Sequence, residues 1–122
     1  MAVTIAPLGI AGNALRIIAD ADADETAENN VNDGAATIYA ITIDNAANAA
    51  IEYLKLYNNA APTIGTTDPD MILMVTASVA RTYVFKTGNN FATALSYGAV
   101  TAAGTAGVTG PTSAMLVKIL VA

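Results

Sequence analysis

The chain has 122 residues, ten acidic and five basic side chains, a formal charge of −5, and neither cysteine nor histidine. That length allows one domain with a two-layer core and not two, and the missing residue types exclude zinc and iron-sulfur ligation by thiolates, thiol nucleophiles, imidazole bases and every Ser-His-Asp arrangement. Arg16, Lys55, Arg81, Lys86 and Lys118 stand singly, so no basic stripe is offered to nucleic acid.

Only 12% of the residues are charged and the mean hydropathy is +0.49, against a globular norm of roughly 25% charged. The 27 alanines inflate the apolar count without adding much core volume. A lone soluble domain rarely carries so few charges, which implies that other subunits cover part of the surface. No apolar run approaches the roughly 18 residues of a membrane span, and M-A-V-T-I-A-P-L-G-I-A-G lacks the basic start and continuous apolar centre of a signal peptide.

Residues 1–13 read as an extended N-terminal arm ahead of a single domain over 14–122. Val3, Ile5, Leu8 and Ile10 are apolar, the first twelve residues carry no charged side chain, and Pro7 and Gly9 break any helix. Left in water such a segment would be sticky, so these four residues are the candidate interface with a neighbouring subunit or with a shell beneath. At ~3.3 Å per residue the arm reaches up to roughly 40 Å. The competing reading is a first strand in the domain's own sheet.

Asp20, Asp22 and Asp24 then occupy alternate positions, with Glu25 and Glu28 behind them. The start matches the D-x-D-x-D of a calcium loop, but Glu25 and Val31 stand where such a loop needs Gly and a bidentate Glu. Strand periodicity explains more residues: Ile17, Ala19, Ala21 and Ala23 share one parity, Ile18 and the three Asp the other, giving small apolar groups inward and carboxylates in water. The expectation is therefore no metal site, no cofactor, and indifference to calcium.

After the turn signal Asp33-Gly34, T37-I-Y-A-I-T-I-D44 places Tyr39, Ile41 and Ile43 on one face and Thr42 and Asp44 on the other. I51-E-Y-L-K-L-Y57 favours strand through its β-branched and aromatic residues. Residues 58–70 form a long loop fixed by Pro62, Gly65 and Pro69. M71-I-L-M-V75 is apolar on both faces, as in a strand covered on both sides by a second sheet or another subunit. V79-A-R-T-Y-V-F-K86 alternates and ends in the turn T87-G-N-N90. In F91-A-T-A-L-S-Y-G-A-V-T101, Phe91, Leu95 and Tyr97 share one parity and Ala92, Ala94, Ser96 and Gly98 the other, which fits a strand that fills a core while something approaches closely behind it. A Gly-Thr-Ala loop, residues 102–113, leads to a last central strand with Met115, Val117, Ile119 and Val121 on one face. About seven or eight antiparallel strands without an amphipathic helix make an all-β sandwich, jelly-roll-like, with a closed barrel as the nearest competitor.

The order T-I-Y-A-I-T-I-D-N-A-A-N-A-A, Y-L-K-L-Y-N, P-T-I-G-T-T-D-P-D, F-A-T-A-L-S-Y-G-A-V-T and G-T-A-G-V-T-G-P-T-S-A-M-L-V-K-I resembles small β-rich virion structural proteins of tailed bacteriophages of the marine and cyanobacterial type, over residues 37–122. The resemblance implies a non-enzymatic capsid decoration (cement) protein on the capsid exterior that stabilises the phage head. Its implied partners are the major capsid protein and further copies of itself, with a homotrimer favoured because the family occupies three-fold positions; neither nucleic acid nor membrane is implied. The alternative is a tail- or fibre-associated module contacting a host surface glycan through Tyr53, Tyr57 and Tyr97 with Asn58, Asn59, Asn89 and Asn90. An enzyme would have to use Asp68 and Asp70 as paired carboxylates for glycoside cleavage, but D-P-D in a loop is more simply a turn.

Overall fold

The structure, a computed structural model, describes residues 3–7 and 15–122. Its eight strands are β1 (Val3–Pro7), β2 (Arg16–Ala23), β3 (Ala36–Asp44), β4 (Glu52–Tyr57), β5 (Met71–Val75), β6 (Ala80–Phe91), β7 (Ser96–Val100) and β8 (Met115–Val121). All pairings are antiparallel, in a five-stranded sheet of order β1-β2-β8-β3-β6 and a three-stranded sheet of order β5-β4-β7. The fold is all-β, and the two sheets share one core. Ile18, Ile38, Ile41, Ile43, Val117 and Ile119 come from the larger sheet, Leu54, Leu56, Leu73, Val75 and Tyr97 from the smaller. Among the described residues no helix is long and apolar enough to cross a membrane.

The face read from β8 is the buried one: Met115, Val117, Ile119 and Val121 are all inaccessible, and Leu116 and Leu120 are half-buried on the other side. In β3 a register shift between Ile38 and Ala40 changes the expected parity. Ile38, Ile41 and Ile43 point inward, and Tyr39 lies half-buried beside Leu15, Leu120 and Ala122 on the outer side. The same shift explains why β6 does not end at Lys86. Val84 pairs with Ala40 and Asn89 with Ile38, so Phe85 to Gly88 bulge opposite Tyr39 alone and the strand resumes to Phe91. Gly88 supplies the positive φ of 80° that this requires, and a Cβ there would lie 2.5 Å from Thr37 Cγ2.

Strand β5 departs from the two-sided burial expected of it. Leu73 and Val75 face the core, whereas Ile72 and Met74 are 40% and 39% exposed, because β5 is the edge of the smaller sheet and the described residues leave its outer face partly open. Full two-sided burial belongs to β7. Behind it runs the loop after β4: the Ser96 hydroxyl donates to the Asn59 carbonyl, and a Cβ on Gly98 would lie 2.2 Å from Ile64 Cδ1. The small residues of this strand thus admit the close approach their pattern suggested. Gly98→Ala is expected to cost about 1–2 kcal/mol and Gly98→Val about 3 kcal/mol, measured by urea unfolding, because Ile64 must swing away from a packed site.

Val3–Pro7 pair with β2, Val3 opposite Asp20 and Pro7 opposite Arg16, as the edge strand of the domain's own sheet. For these residues the same-sheet alternative is the one realised. Val3 packs against the core and Ile5 is 48% exposed. Leu8 and Ile10 lie outside the described residues.

Candidate metal centre

After β2 the chain leaves the larger sheet and crosses to the free edge of β7. Ala99 N donates to Asp24 O at 2.7 Å, Glu28 and Tyr97 exchange backbone hydrogen bonds of 2.8 and 3.1 Å, and Val31 N donates to Leu95 O at 2.9 Å. The crossing is turned by Asn30 and Asp33, both with positive φ, and Asn30 Oδ1 accepts from Gly34 N. The acidic segment therefore closes one side of the sandwich and is tied to both sheets.

That path corrects the solvated-face reading. Ile18 and Asp20 share the inward parity, and Asp20 is completely buried; the register shift between Asp20 and Ala23 then buries Ala23 as well. A carboxylate is tolerated inside because donors replace its water. Tyr97 hydroxyl donates to Asp20 Oδ2 and Asp22 N to Asp20 Oδ1, each at 3.0 Å. Asp24 is not part of this arrangement: its Oδ1 accepts from Thr26 N at 2.8 Å.

Carboxylate oxygens of Asp20, Asp22 and Glu28 lie within 4.8 Å of one another. Asp20 and Glu28 are buried and Asp22 is half-exposed, so the group opens to solvent on one side. Glu28 is 7% exposed, and its Oε1 has no hydrogen-bond partner among the described residues. Burial, with the added charges of Asp20, Asp22 and Asp24, pushes the Glu28 carboxyl up to about 7. Burial also raises Asp20, and it raises the Tyr97 phenol, which therefore stays a hydrogen donor throughout the physiological range. Three crowded carboxylates of this kind can share protons or hold a hard cation. The grouping was not visible in the sequence because Glu28 is set beside Asp20 by its isolated bridge to Tyr97 of β7, sixty-nine residues further on.

Glu52 and Lys55 are buried as well. Glu52 is 1% exposed, its Oε2 lacks a partner among the described residues, and burial raises its carboxyl. Lys55 is fully buried, and its Nζ donates to the carbonyls of Gly104 at 2.6 Å, Gly107 at 3.0 Å and Thr105 at 3.5 Å. It pins the Gly-Thr-Ala loop over β4, and burial lowers its pKa.

The residues suggested for glycan contact are dispersed into structural roles. Tyr57 and Tyr97 are completely buried and cannot stack on a sugar, while Tyr53 is half-buried. Asn58 Oδ1 accepts from Thr93 N and Ala94 N, Asn59 Oδ1 accepts from Ala61 N, and Asn89 and Asn90 lie in β6 opposite Ile38 and Thr37 of β3. Asp68 accepts from the Thr105 hydroxyl and Asp70 from Asn58 N, so each ties down a different loop neighbour. Comparison with protein-family models, curated proteins and solved structures gives no match.

Proposed function

We propose that the chain is a non-enzymatic virion structural protein, a decoration (cement) protein that works as an oligomer on the outside of a phage head. The observation that carries this reading is the outer face of the five-stranded sheet. Ala6, Ile17, Leu120, Ala40 and Val84 stand in register across all five strands, an apolar row running from one sheet edge to the other. Val84 is 69% exposed. The next row, Thr4, Ala19, Lys118, Thr42 and Thr82, carries one charge, and Thr42 and Thr82 share a hydroxyl hydrogen bond of 2.9 Å.

A sheet face so poor in charge gains by burial against another surface. Ile72 and Met74 offer a second apolar strip on β5. The resemblance of residues 37–122 to phage virion proteins supplies the setting, with the major capsid protein and two further copies as partners. The β1 edge extends the same surface, and its strand pairing is of the kind that neighbouring subunits exchange.

Light scattering at micromolar concentration tests the oligomer: a mass near three times 12.3 kDa is expected, and Val84→Lys with Leu120→Lys is expected to reduce it to that of one chain while the melting temperature stays within a few degrees. Sedimentation with purified heads tests the partner. A 12.3 kDa species that does not sediment with heads would overturn the proposal.

A further inference from the structure

We propose that Asp20, Asp22 and Glu28 bind one calcium ion that clips the two sheets of the sandwich together. Their oxygens lie within 4.8 Å of one another, and oxygens bound to a single calcium at 2.3–2.6 Å stand at most about 5 Å apart, so the three fit its coordination sphere as they are placed. Magnesium demands near-octahedral order at 2.0–2.1 Å and gives up its water reluctantly, which suits it less to a site with three protein carboxylates. The donors are all hard oxygens, which disfavours the softer transition metals.

The independent observation is Glu28. Its side chain is more than nine-tenths buried, it belongs to the cluster, and Oε1 has no hydrogen-bond partner among the described residues. A proton shared within the cluster offsets one charge of three and can be donated to one oxygen at a time. A divalent cation offsets two and meets all three carboxylates at once. The half-exposed Asp22 leaves a side through which the ion enters and where water completes its coordination.

The calcium-loop comparison failed on Glu25 and Val31 because it assumed ligands from one continuous loop. In the folded chain Asp20 and Asp22 come from β2, and Glu28 comes from the segment hydrogen-bonded to β7. Asp20 is also held by Tyr97 of β7. An ion here ties the larger sheet to the edge of the smaller one, so its effect is on stability.

The test uses the full chain, stripped with a chelator at pH 7.5. Millimolar calcium is expected to raise the melting temperature by about 5 °C or more, with a smaller rise from the same concentration of magnesium. Terbium, which takes calcium's oxygen ligands, is expected to show tyrosine-sensitised emission, since Tyr97 hydroxyl contacts the ligand Asp20, and calcium is expected to quench it by displacement. Glu28→Gln is expected to abolish both responses, and Glu25→Gln to keep both. If Glu28→Gln folds poorly, Asp22→Asn serves in its place, because Asp22 is half-exposed. An unchanged wild-type melting temperature, or responses that persist in both Glu28→Gln and Asp22→Asn, would overturn the proposal.

Discussion

Stripped of divalent cations, the protein is expected to lose about 3 kcal/mol of stability as the pH rises from 4.5 to about 7, the ordinary and folded-state pKa values of Glu28. The sign follows from linkage. The folded-state pKa is raised, so between these values the folded protein still holds a proton that the unfolded chain has released. Each step up in pH then favours the unfolded state. The stabilisation is complete below 4.5 and is gone once the pH has passed through about 7. Asp20 and Glu52 act in the same direction, because burial raises both.

Urea unfolding at a series of pH values measures the slope directly. Glu28→Gln keeps the shape and removes the charge, so it is expected to flatten the profile and, near pH 8, to be more stable than the cation-free wild type by about 2–3 kcal/mol. A wild type that is most stable near pH 8 and weakens towards pH 5 would mean that the ionised Glu28 carboxylate has a partner.

Lys55→Ala is expected to cost about 3–5 kcal/mol, and the loss should be concentrated in residues 101–110. Two effects add. The aliphatic stem fills space beside β4, and removing it leaves a cavity of the kind that costs a few kcal/mol in a packed interior. The ammonium is also the donor for the Gly104, Thr105 and Gly107 carbonyls, and charge-assisted hydrogen bonds are worth about 1.5–3 kcal/mol each before the relief of desolvation is counted. Lys55→Met restores the stem and not the donor, so it should recover about half of the loss. Hydrogen exchange separates the two effects: amides of residues 101–110 should exchange faster in both variants, and those of β4 and β7, whose ladder holds Lys55 opposite Gly98, only in Lys55→Ala. Unchanged protection of the loop in both would show that Lys55 does not hold it.

The fold class was legible because it depends on local alternation. Met115, Val117, Ile119 and Val121 alternate with residues of the other face in β8, and the large and small sides of the segment containing Leu95, Ser96, Tyr97 and Gly98 separate by parity alone. Period-two patterning survives folding when a strand keeps its register. It failed where the ladder slips. Opposite Tyr39 the bulge of Phe85 to Gly88 moves Tyr39 outward and extends β6 past what looked like a turn. No rule of composition places a bulge, because its position depends on how β3, β6 and β8 align.

The candidate site shows the division most clearly. By itself the sequence determined that the chemistry available is carboxylate or lysine chemistry, since the chain has neither cysteine nor histidine, and it marked Asp20, Asp22 and Glu28 as part of one acidic segment. Alternation assigned the carboxylates to water, because isolated carboxylates are costly to bury. Only the tertiary structure decided otherwise. It brings the Tyr97 hydroxyl to Asp20 and lays Glu28 beside β7, so burial is compensated for one carboxylate and left uncompensated at Glu28 Oε1. The solvation of a side chain is set by all the groups around it, and here the group that matters is seventy-seven residues away.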